Sequence, residues 1–275
     1  MSKFAALIGL FLMLSGSTQT PDHTGEPIDL KQFDLVWSDE FDDLSASAWQ
    51  LGDKRWTAHT PWAGDFGDAA FADPEPGGPF TIRDGKLEIT ARRGADGKWR
   101  SGLLAAADGD GHGVGLRYGY FEARMKLPPG PGTWPAFWLM SLQPVHGPAS
   151  KVEIDVIEYY GHDDSAFQSA WHVWYASPRE ASNRAGGSTI SVAAGSLVRD
   201  YHDYGVLVGP TRTSIYLDRK LVAEMPTPHE LDTPLYPLVN LALGSGYPID
   251  RTPNPSTLSV DYVRIYAAKS DAGNR

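Results

Sequence analysis

Short runs in which hydrophobic and polar residues alternate recur along most of the chain. In the run from Phe121 to Leu127 the apolar residues occupy the odd positions and the charged residues the even ones. Successive side chains of a strand point to opposite faces, so this alternation predicts a strand with one dry and one wet face. No stretch combines a 3.6-residue period with helix caps. The pattern therefore predicts an all-β protein.

Turn signals separate these runs, for example Asp84-Gly85, Asp96-Gly97 and Pro128-Pro129-Gly130. The sequence shows no internal repeat and no linker after residue 33, which predicts a single domain over residues 34–268. Many short strands joined by Gly/Pro turns favour a sandwich of jelly-roll type made of two antiparallel sheets. The predicted strands are Lys86–Arg92, Tyr118–Leu127, Ala136–Leu142, Val152–Tyr159, Ser169–Tyr175, Tyr204–Val208, Ser214–Leu217, Leu238–Leu243 and Leu258–Ala267.

The two ends of the chain are expected to lie outside this domain. Residues 1–20 have a short positive start, an apolar run and then small residues, which is the order of a secretory signal peptide. The alternative is a buried N-terminal strand or helix. Residues 21–33 are interpreted as a linker and 269–275 as a tail. The protein is therefore expected to be secreted, to avoid membranes after signal removal, and to be a monomer.

Composition narrows the range of partners. The chain has no cysteine, so its fold cannot rely on disulfides. Its net charge of -10 repels nucleic acid and anionic membranes and makes a neutral polysaccharide the better candidate partner. Nine tryptophans leave aromatic side chains available beyond those that a core needs.

One predicted strand, Lys151 to Tyr160, carries three carboxylates among valine and isoleucine. In a regular strand Glu158 would point away from Glu153 and Asp155. A β-bulge at Val156-Ile157 would bring it back to their face. Retaining glycoside hydrolysis requires two carboxyl groups about 5–5.5 Å apart, one as nucleophile and one as proton donor. The alternative is a solvated strand face with ordinary surface acids.

The motif Glu-x-Asp-x-x-Glu at 153–158 resembles the signature of glycoside hydrolase family 16 in its bulged form. Further segments resemble the family's opening, middle and end in the family's order. The resemblance implies a concanavalin-like jelly roll of two curved sheets with a concave substrate cleft. It also implies a retaining endo-enzyme with Glu153 as nucleophile, Asp155 as assistant and Glu158 as acid/base, without a catalytic cofactor. The segments are Leu35–Asp42, Arg117–Arg124, Gly132–Leu139, Leu238–Gly244 and Val260–Tyr266.

Aromatic and polar residues near the motif are candidates for substrate binding. The family resemblance places Trp134 and Trp138 near the sugar subsites and a histidine, here His172, beside the acid/base. The remaining candidates are Trp174, Asn240, Arg117, Trp62 and Arg55. Core packing is the alternative for the aromatic residues, and Asn240 could equally fix a buried backbone. The family usually has an extra glycine where Ser245 stands, so the shape of that loop is open.

The resemblance also implies a structural Ca²⁺ ion away from the chemistry. The matching places are Glu40, the carbonyl of Gly85, and Asp261, which offer the oxygen ligands that calcium prefers. The alternative is that Glu40 and Asp261 are plain surface acids.

The function expected from these observations is hydrolysis of β-1,3- or mixed β-1,3/1,4-linked polysaccharide by a secreted endo-β-glycanase. Three alternatives remain open: a glycanase for a substituted bacterial exopolysaccharide, a transglycosylase, and a non-catalytic carbohydrate-binding module. Residues 55–80 form an irregular, Gly/Pro-rich stretch that looks most like the bacterial exopolysaccharide glycanases of the family. Long loops over a scaffold often set specificity.

Overall fold

The computed structural model describes residues 25–62, 64–176 and 183–269. The predicted signal peptide, the first part of the predicted linker and most of the predicted tail lie outside these ranges. No helix among the described residues is both long and apolar enough to cross a membrane.

The described chain is built almost entirely of strands, with one 3-10 helix at Leu30–Gln32 and one short α-helix, α1, at Ser196–Arg199. The strands are β1 (Phe33–Asp39), β2 (Ala46–Ser47), β3 (Trp56–Thr57), β4 (Ala70–Phe71), β5 (Phe80–Arg83), β6 (Lys86–Arg93), β7 (Trp99–Ser101), β8 (Leu103–Ala105), β9 (Gly119–Lys126), β10 (Thr133–Ser141), β11 (Lys151–Glu158), β12 (Ala166–Trp174), β13 (Arg184–Ser191), β14 (His202–Val208), β15 (Arg212–Leu217), β16 (Lys220–Pro226), β17 (Leu235–Leu243) and β18 (Ser256–Ala268).

These strands form two sheets, which confirms the predicted all-β sandwich. A 10-stranded sheet has the order β16-β15-β14-β9-β18-β6-β7-β4, with β1 on β18 and β5 on β6. An 8-stranded sheet has the order β13-β12-β11-β10-β17-β8-β3-β2. All nine strands predicted from the alternation are present. The sheets are not wholly antiparallel as expected, because the very short strands β2 and β3, and likewise β4 and β7, pair in parallel.

The main core lies between the two sheets. Leu87, Phe121, Phe137, Ile154 and Val263 are each at most 1% exposed there. A second apolar cluster covers the opposite face of the 8-stranded sheet, which we call the cleft face; it carries Ala136, Trp138, Met140, Tyr236, Leu238 and Ala242. An ordinary outer face of a sandwich alternates with polar residues. The apolar and aromatic residues on the cleft face therefore need a role other than packing between the two sheets.

The segment predicted as a linker is not free of the domain in its described part. Pro27 bridges Lys220, and Ile28, Leu30 and Phe33 pack on Tyr120, Tyr216 and Tyr266 at the outer face of the 10-stranded sheet. The polar and proline residues of this segment predict an extended linker. Its apolar residues, at every second or third position, instead pack on the aromatic surface of the sheet.

The wet face predicted for the run from Phe121 to Leu127 also needs a correction. Glu122 is on the outer side as expected, yet its side chain is 0% exposed. Its carboxylate accepts hydrogen bonds from Tyr120 Oη at 2.8 Å, from Tyr262 Oη at 2.9 Å and from Arg219 Nε and Nη2 at 3.0 and 2.9 Å. A buried carboxylate is tolerated when it is paired and fully hydrogen-bonded.

We therefore expect Arg219→Ala to lower the free energy of unfolding by about 3–5 kcal/mol, because it leaves a buried charge without its partner. The matched control is Arg212→Ala, which breaks the exposed pair with Glu224 and should cost at most about 1 kcal/mol. Urea denaturation of the three proteins measures the difference. Equal losses in both variants would contradict the buried role of Glu122.

Candidate active site

A bulge in β11 decides where its three acids point. Asp155 lies opposite Trp138 of β10, and Glu158 lies opposite Ala136. The chain thus advances three residues on β11 for two on β10, and the same shift occurs against β12. Val156 and Ile157 are both fully buried in the core between the sheets. Two successive inward side chains return the next residue to the outer face, so the bulge is where the sequence predicted it.

The three acids consequently share the cleft face. Asp155 is 4% exposed, and Glu153 and Glu158 are half-buried. One carboxylate oxygen each of Glu153 and Asp155 and one ring nitrogen of His172 all lie within 4.8 Å of one another. Their close approach on an aromatic surface rules out the ordinary solvated strand face that the sequence left open.

Each glutamate is held by hydrogen bonds at one oxygen only. Trp174 Nε1 donates to Oε2 of Glu153 at 2.8 Å. Trp134 Nε1 and Tyr160 Oη both donate to Oε1 of Glu158, at 3.1 and 3.2 Å. The other oxygen of each carboxyl group accepts no protein hydrogen bond from the described residues and is the one available for chemistry.

His172 lies beside the central acid. Its Nε2 is 3.3 Å from Oδ2 of Asp155, although this buried oxygen has no hydrogen bond of good geometry among the described residues. Its ring stacks on Trp174, with centroids 5.4 Å apart and planes 13° from parallel. The predicted alternation on β12 is confirmed, since Trp171 packs against the core on the opposite face.

The protonation of the acids follows from this burial. Burial raises the pKa of Glu158 from its usual 4.5 to about 7, and the negative charge of Asp155 adds to the rise. Burial and the charge of Asp155 likewise raise the pKa of Glu153, and burial raises the pKa of Asp155. Near neutral pH the three groups therefore do not all carry a charge.

Aromatic side chains continue the site across β10 and β17. Trp138 Nε1 donates to Asn240 Oδ1 at 2.8 Å, and Asn240 is fully buried. Trp62 packs edge-on against Trp138 with centroids 6.0 Å apart, and Phe66 lies 5.3 Å from Trp134. Trp134, Trp138, Asn240 and Trp62 are therefore brought to the same face as the acids, as the sequence predicted.

Two predicted binding residues are not brought to the acids. Arg55 Nε donates to Asp39 of β1 at 2.8 Å, and its guanidinium also contacts Asp43, so it ties a loop to the other sheet. Arg117 donates from Nε and Nη2 to the carbonyl of Leu231 at 3.1 and 2.7 Å. Both guanidinium groups are engaged in holding loops rather than turned toward the acids.

The residues expected to bind calcium do not fit a cation in their present arrangement. Both oxygens of Glu40 accept hydrogen bonds from Arg264, at 2.9 and 2.8 Å. Asp261 lies 3.3 Å from both Lys86 and Arg124. Gly85 makes the turn before β6, with φ at +66°. Lysine and arginine side chains contact the carboxylate oxygens of both Glu40 and Asp261. Calcium binding would require these contacts to break, and it stays a prediction.

Three residues at the site were not among the predicted ones. Tyr160 directly follows the motif and binds Glu158, Phe66 belongs to the aromatic stretch already noted, and Tyr236 lies on the cleft face. The charge of Glu153 adds to the burial that raises the pKa of Tyr236. Alternation counted back from Asn240 along β17 would have placed Tyr236 on this face.

The loop whose shape was open lies next to this site. Ser245 adopts φ of +53° between Gly244 at +91° and Gly246 at +85°. The left-handed region is unfavourable for a residue with a Cβ. The loop therefore keeps a conformation that suits glycine although the family's usual glycine is replaced.

Comparison with known proteins identifies relatives of the whole described domain. Residues 113–264 match the family model described as glycosyl hydrolases family 16. Residues 13–147 match a second model, that of the beta-glucan synthesis-associated proteins SKN1/KRE6/Sbg1.

Two curated relatives come from Rhizobium meliloti (strain 1021). The endo-1,3-1,4-beta-glycanase EglC is 28% identical, with 98% of this chain and 60% of the relative covered. The endo-1,3-1,4-beta-glycanase ExsH is 29% identical, with 89% and 54% covered. The chain thus spans little more than half the length of these relatives. Among solved structures, the laminarinase from Rhodothermus marinus superposes with a TM-score of 0.66 at 25% identity, with 86% of this chain and 98% of that one covered.

The raised pKa of Glu158 predicts how stability varies with pH. The pKa of Glu158 is higher in the folded protein than in the unfolded chain, so the protonated group stabilises the fold. This contribution to the free energy of unfolding is fully present below pH 4.5 and is lost as the pH rises through about 7. We expect Glu158→Gln to reduce the fall in the free energy of unfolding between pH 5 and pH 8, as measured by urea denaturation. Glu88→Gln, which removes a carboxylate paired with Arg83, is the control and should leave the fall unchanged. An unaltered fall in Glu158→Gln would contradict the assigned shift.

Proposed function

Because this chain belongs to glycosyl hydrolase family 16, we propose that it is a retaining endo-β-glycanase acting on β-1,3- or mixed β-1,3/1,4-linked polysaccharide. The observation that carries the proposal is the placement of Glu153, Asp155 and Glu158 together on an aromatic face, each glutamate with one oxygen free. The two linkages are those in the names of its relatives.

Glu158 is the proton donor in the first step. Both hydrogen bonds from Trp134 and Tyr160 go to Oε1, so the proton of the neutral acid belongs on Oε2. A pKa of about 7 keeps that proton in place over the mildly acidic range and lets it leave during reaction. Oε2 protonates the glycosidic oxygen while the bond from that oxygen to the anomeric carbon breaks.

Glu153 is the nucleophile. The indole of Trp174 holds Oε2, which orients Oε1 for attack on the anomeric carbon. Attack requires the charged carboxylate, whose pKa is raised by burial and by Asp155. Asp155 supports ionisation of Glu153 when it carries a proton itself. Its Oδ2, which accepts no hydrogen bond of good geometry from the described residues, can hold that proton and donate it in a hydrogen bond. The product of this step is a glycosyl ester of Glu153.

The second step reverses the role of Glu158. Having lost its proton, it accepts one from a water molecule, and the water oxygen attacks the anomeric carbon as the ester bond to Glu153 breaks. Two inversions at the same carbon give net retention. Both glutamates then return to their starting protonation states.

Substrate binding follows from the surface around the acids. The site residues come from β12, β11, β10 and β17 in succession, so the cleft face runs across the strands and accommodates an extended chain. Sugar rings have apolar C–H faces that pack on aromatic rings, and the partly exposed Trp134 offers such a ring beside the acids. Trp138 is 5% exposed and supports this surface by packing against Trp62 and Phe66. A site open along several strands suits cleavage within a polysaccharide rather than at its end.

We further propose that the enzyme acts outside the cytoplasm on this polysaccharide. The signal-like order of residues 1–20 supports secretion. A non-catalytic binding module is disfavoured by the retention of both glutamates. Transglycosylation uses the same first step with a sugar in place of water, and oligosaccharides longer than the substrate would reveal it.

The proposal is tested with laminarin and lichenan as substrates. We expect wild type to release reducing ends whose anomeric proton, followed by NMR, first appears in the β configuration. Glu153→Gln and Glu158→Gln both keep the shape of the side chain. Glu153→Gln removes the attacking carboxylate and Glu158→Gln removes the transferable proton, so each should lower kcat by at least about 100-fold. Glu88→Gln is the matched control and should remain fully active. An α-anomer as first product, or near-normal rates in either site variant, would refute the mechanism.

A separate prediction concerns Tyr160. Its hydrogen bond favours the charged form of Glu158, so Tyr160→Phe should raise the pKa of the acid further. The basic limb of kcat/KM, expected near pH 7, should move to higher pH, as measured over a pH series. Tyr262→Phe also removes a hydrogen bond to a buried glutamate, Glu122, but on the other sheet, and should leave the limb in place. A shift to lower pH in Tyr160→Phe would be inconsistent with this contact.

A further inference from the structure

A cavity of about 840 Å³ lies beyond the ends of β10 and β17, next to the cleft face. This volume is in the range of about 300–1,000 Å³ found for small-molecule sites. The β6–β7 hairpin, the segment before β4 and the loop after β17 line it, and it is open to solvent. Its lining residues are Asp68, Ala70, Arg93, Gly97, Lys98, Trp99, Tyr247, Pro248, Ile249 and Asp250.

The wall of this cavity is connected to the proton donor through two aromatic contacts. Tyr247, 40% exposed, stacks on His162 with centroids 3.6 Å apart and lies 5.6 Å from the ring of Tyr160. Tyr160 in turn donates a hydrogen bond from its hydroxyl group to Glu158. A molecule in the cavity would therefore lie close to a polysaccharide whose scissile bond is at Glu158.

The second wall is fixed to the cleft by backbone contacts. Asp68 N donates to the carbonyl of Leu243 at 2.8 Å, and a Cβ on Gly244 would lie 2.0 Å from Oδ2 of Asp68. Gly244 also has φ of +91°. Only glycine allows the loop to pass this closely, so Asp68 and the loop keep one relative position.

Four charged side chains line the cavity, and their charges balance. Arg93 and Lys98 line it together with Asp68 and Asp250. All four residues are exposed, and none forms a salt bridge with another described residue. Arg93 Nε donates to the carbonyl of Gly97 at 2.8 Å, which leaves the remaining guanidinium donors for a ligand.

This balance selects a neutral polar molecule. An anion would be attracted by Arg93 and Lys98 but repelled by Asp68 and Asp250, and a cation would meet the reverse. Sugar hydroxyls satisfy both signs, because they accept from the cations and donate to the carboxylates. The exposed ring of Tyr247 adds a face on which the C–H groups of a pyranose can pack.

The position of the cavity indicates which sugar would occupy it. The polysaccharide backbone crosses the strands of the cleft face, whereas the cavity is displaced along the strand direction, past the last residues of β17. A unit of the backbone would stay over the strands. A unit attached to the backbone as a branch would leave that line sideways and reach the cavity.

We propose that this cavity is a subsite for a neutral sugar branch of the polysaccharide, formed by Lys98, Asp250 and Tyr247. The inference rests on the proposed endo-glycanase function and adds a preference for branched substrates. It assigns recognition of the branch to the 10-stranded sheet's β6–β7 hairpin and the loop after β17, outside the catalytic residues.

The test compares kcat/KM of the full chain on a linear β-1,3-glucan and on the same backbone with single glucosyl branches. We expect Lys98→Ala and Asp250→Ala each to lower kcat/KM on the branched glucan by about tenfold and to leave the linear glucan unaffected, because each removes a hydrogen-bond partner of the branch. Lys220→Ala, an exposed lysine at the opposite edge of the same sheet, is the matched control and should change neither value.

The outcomes separate the alternatives. If Lys98→Ala weakens and Asp250→Ala strengthens activity on a branched or substituted glycan, the occupant is an anion and the neutral-sugar assignment is wrong. If both variants match Lys220→Ala on the branched glucan, the cavity binds no branch, while cleavage of the linear glucan leaves the proposed function standing. Absence of cleavage of either glucan by wild type would instead reject the glucanase function on which the inference rests.

Discussion

The bulge at Val156-Ile157 is the local feature on which the site depends. Two successive apolar side chains enter the core there, and the hydrophobic gain of burying both holds the extra residue in place. The next residue, Glu158, must then point outward on the same side as Glu153 and Asp155. Because the core fixes the backbone and the backbone fixes the acids, the geometry of the carboxyl groups is set by apolar packing on the opposite side of the sheet.

The electrostatics of the site follow from placing these acids on an aromatic face. Burial disfavours the charged forms, and the acids repel one another, so their pKa values rise. The indole and phenol donors do not neutralise the acids; they select one oxygen of each glutamate and leave the other free. The result is one aromatic surface on which both glutamates are oriented in the same way, each through its single hydrogen-bonded oxygen.

Both sheets carry aromatic residues on their outer faces, but these residues have different roles in the two sheets. On the 10-stranded sheet the outer aromatic cluster and the buried Glu122 serve stability, with Arg219 as its ion-pair partner. On the 8-stranded sheet the outer cluster includes Trp62 and Phe66 from an irregular loop and serves the site. Beyond the end of β17, charged residues of the β6–β7 hairpin and Tyr247 of the loop after β17 line the cavity that we propose as a subsite for a sugar branch.

The sequence by itself determined the strands, the bulge and the acids. Alternation is a local pattern, and so is the spacing that would put Glu158 on the wrong face of a regular strand; neither depends on residues that are distant in the chain. It also indicated Trp134 and Trp138 through their shared strand face. What the tertiary structure decided is the set of partners for long polar side chains. Arg55 binds Asp39, 16 residues away, and Arg117 binds a carbonyl 114 residues away. The burial of Glu122 depends on Arg219, 97 residues away. Such pairings arise only when distant strands are brought together, so no local pattern could have revealed them.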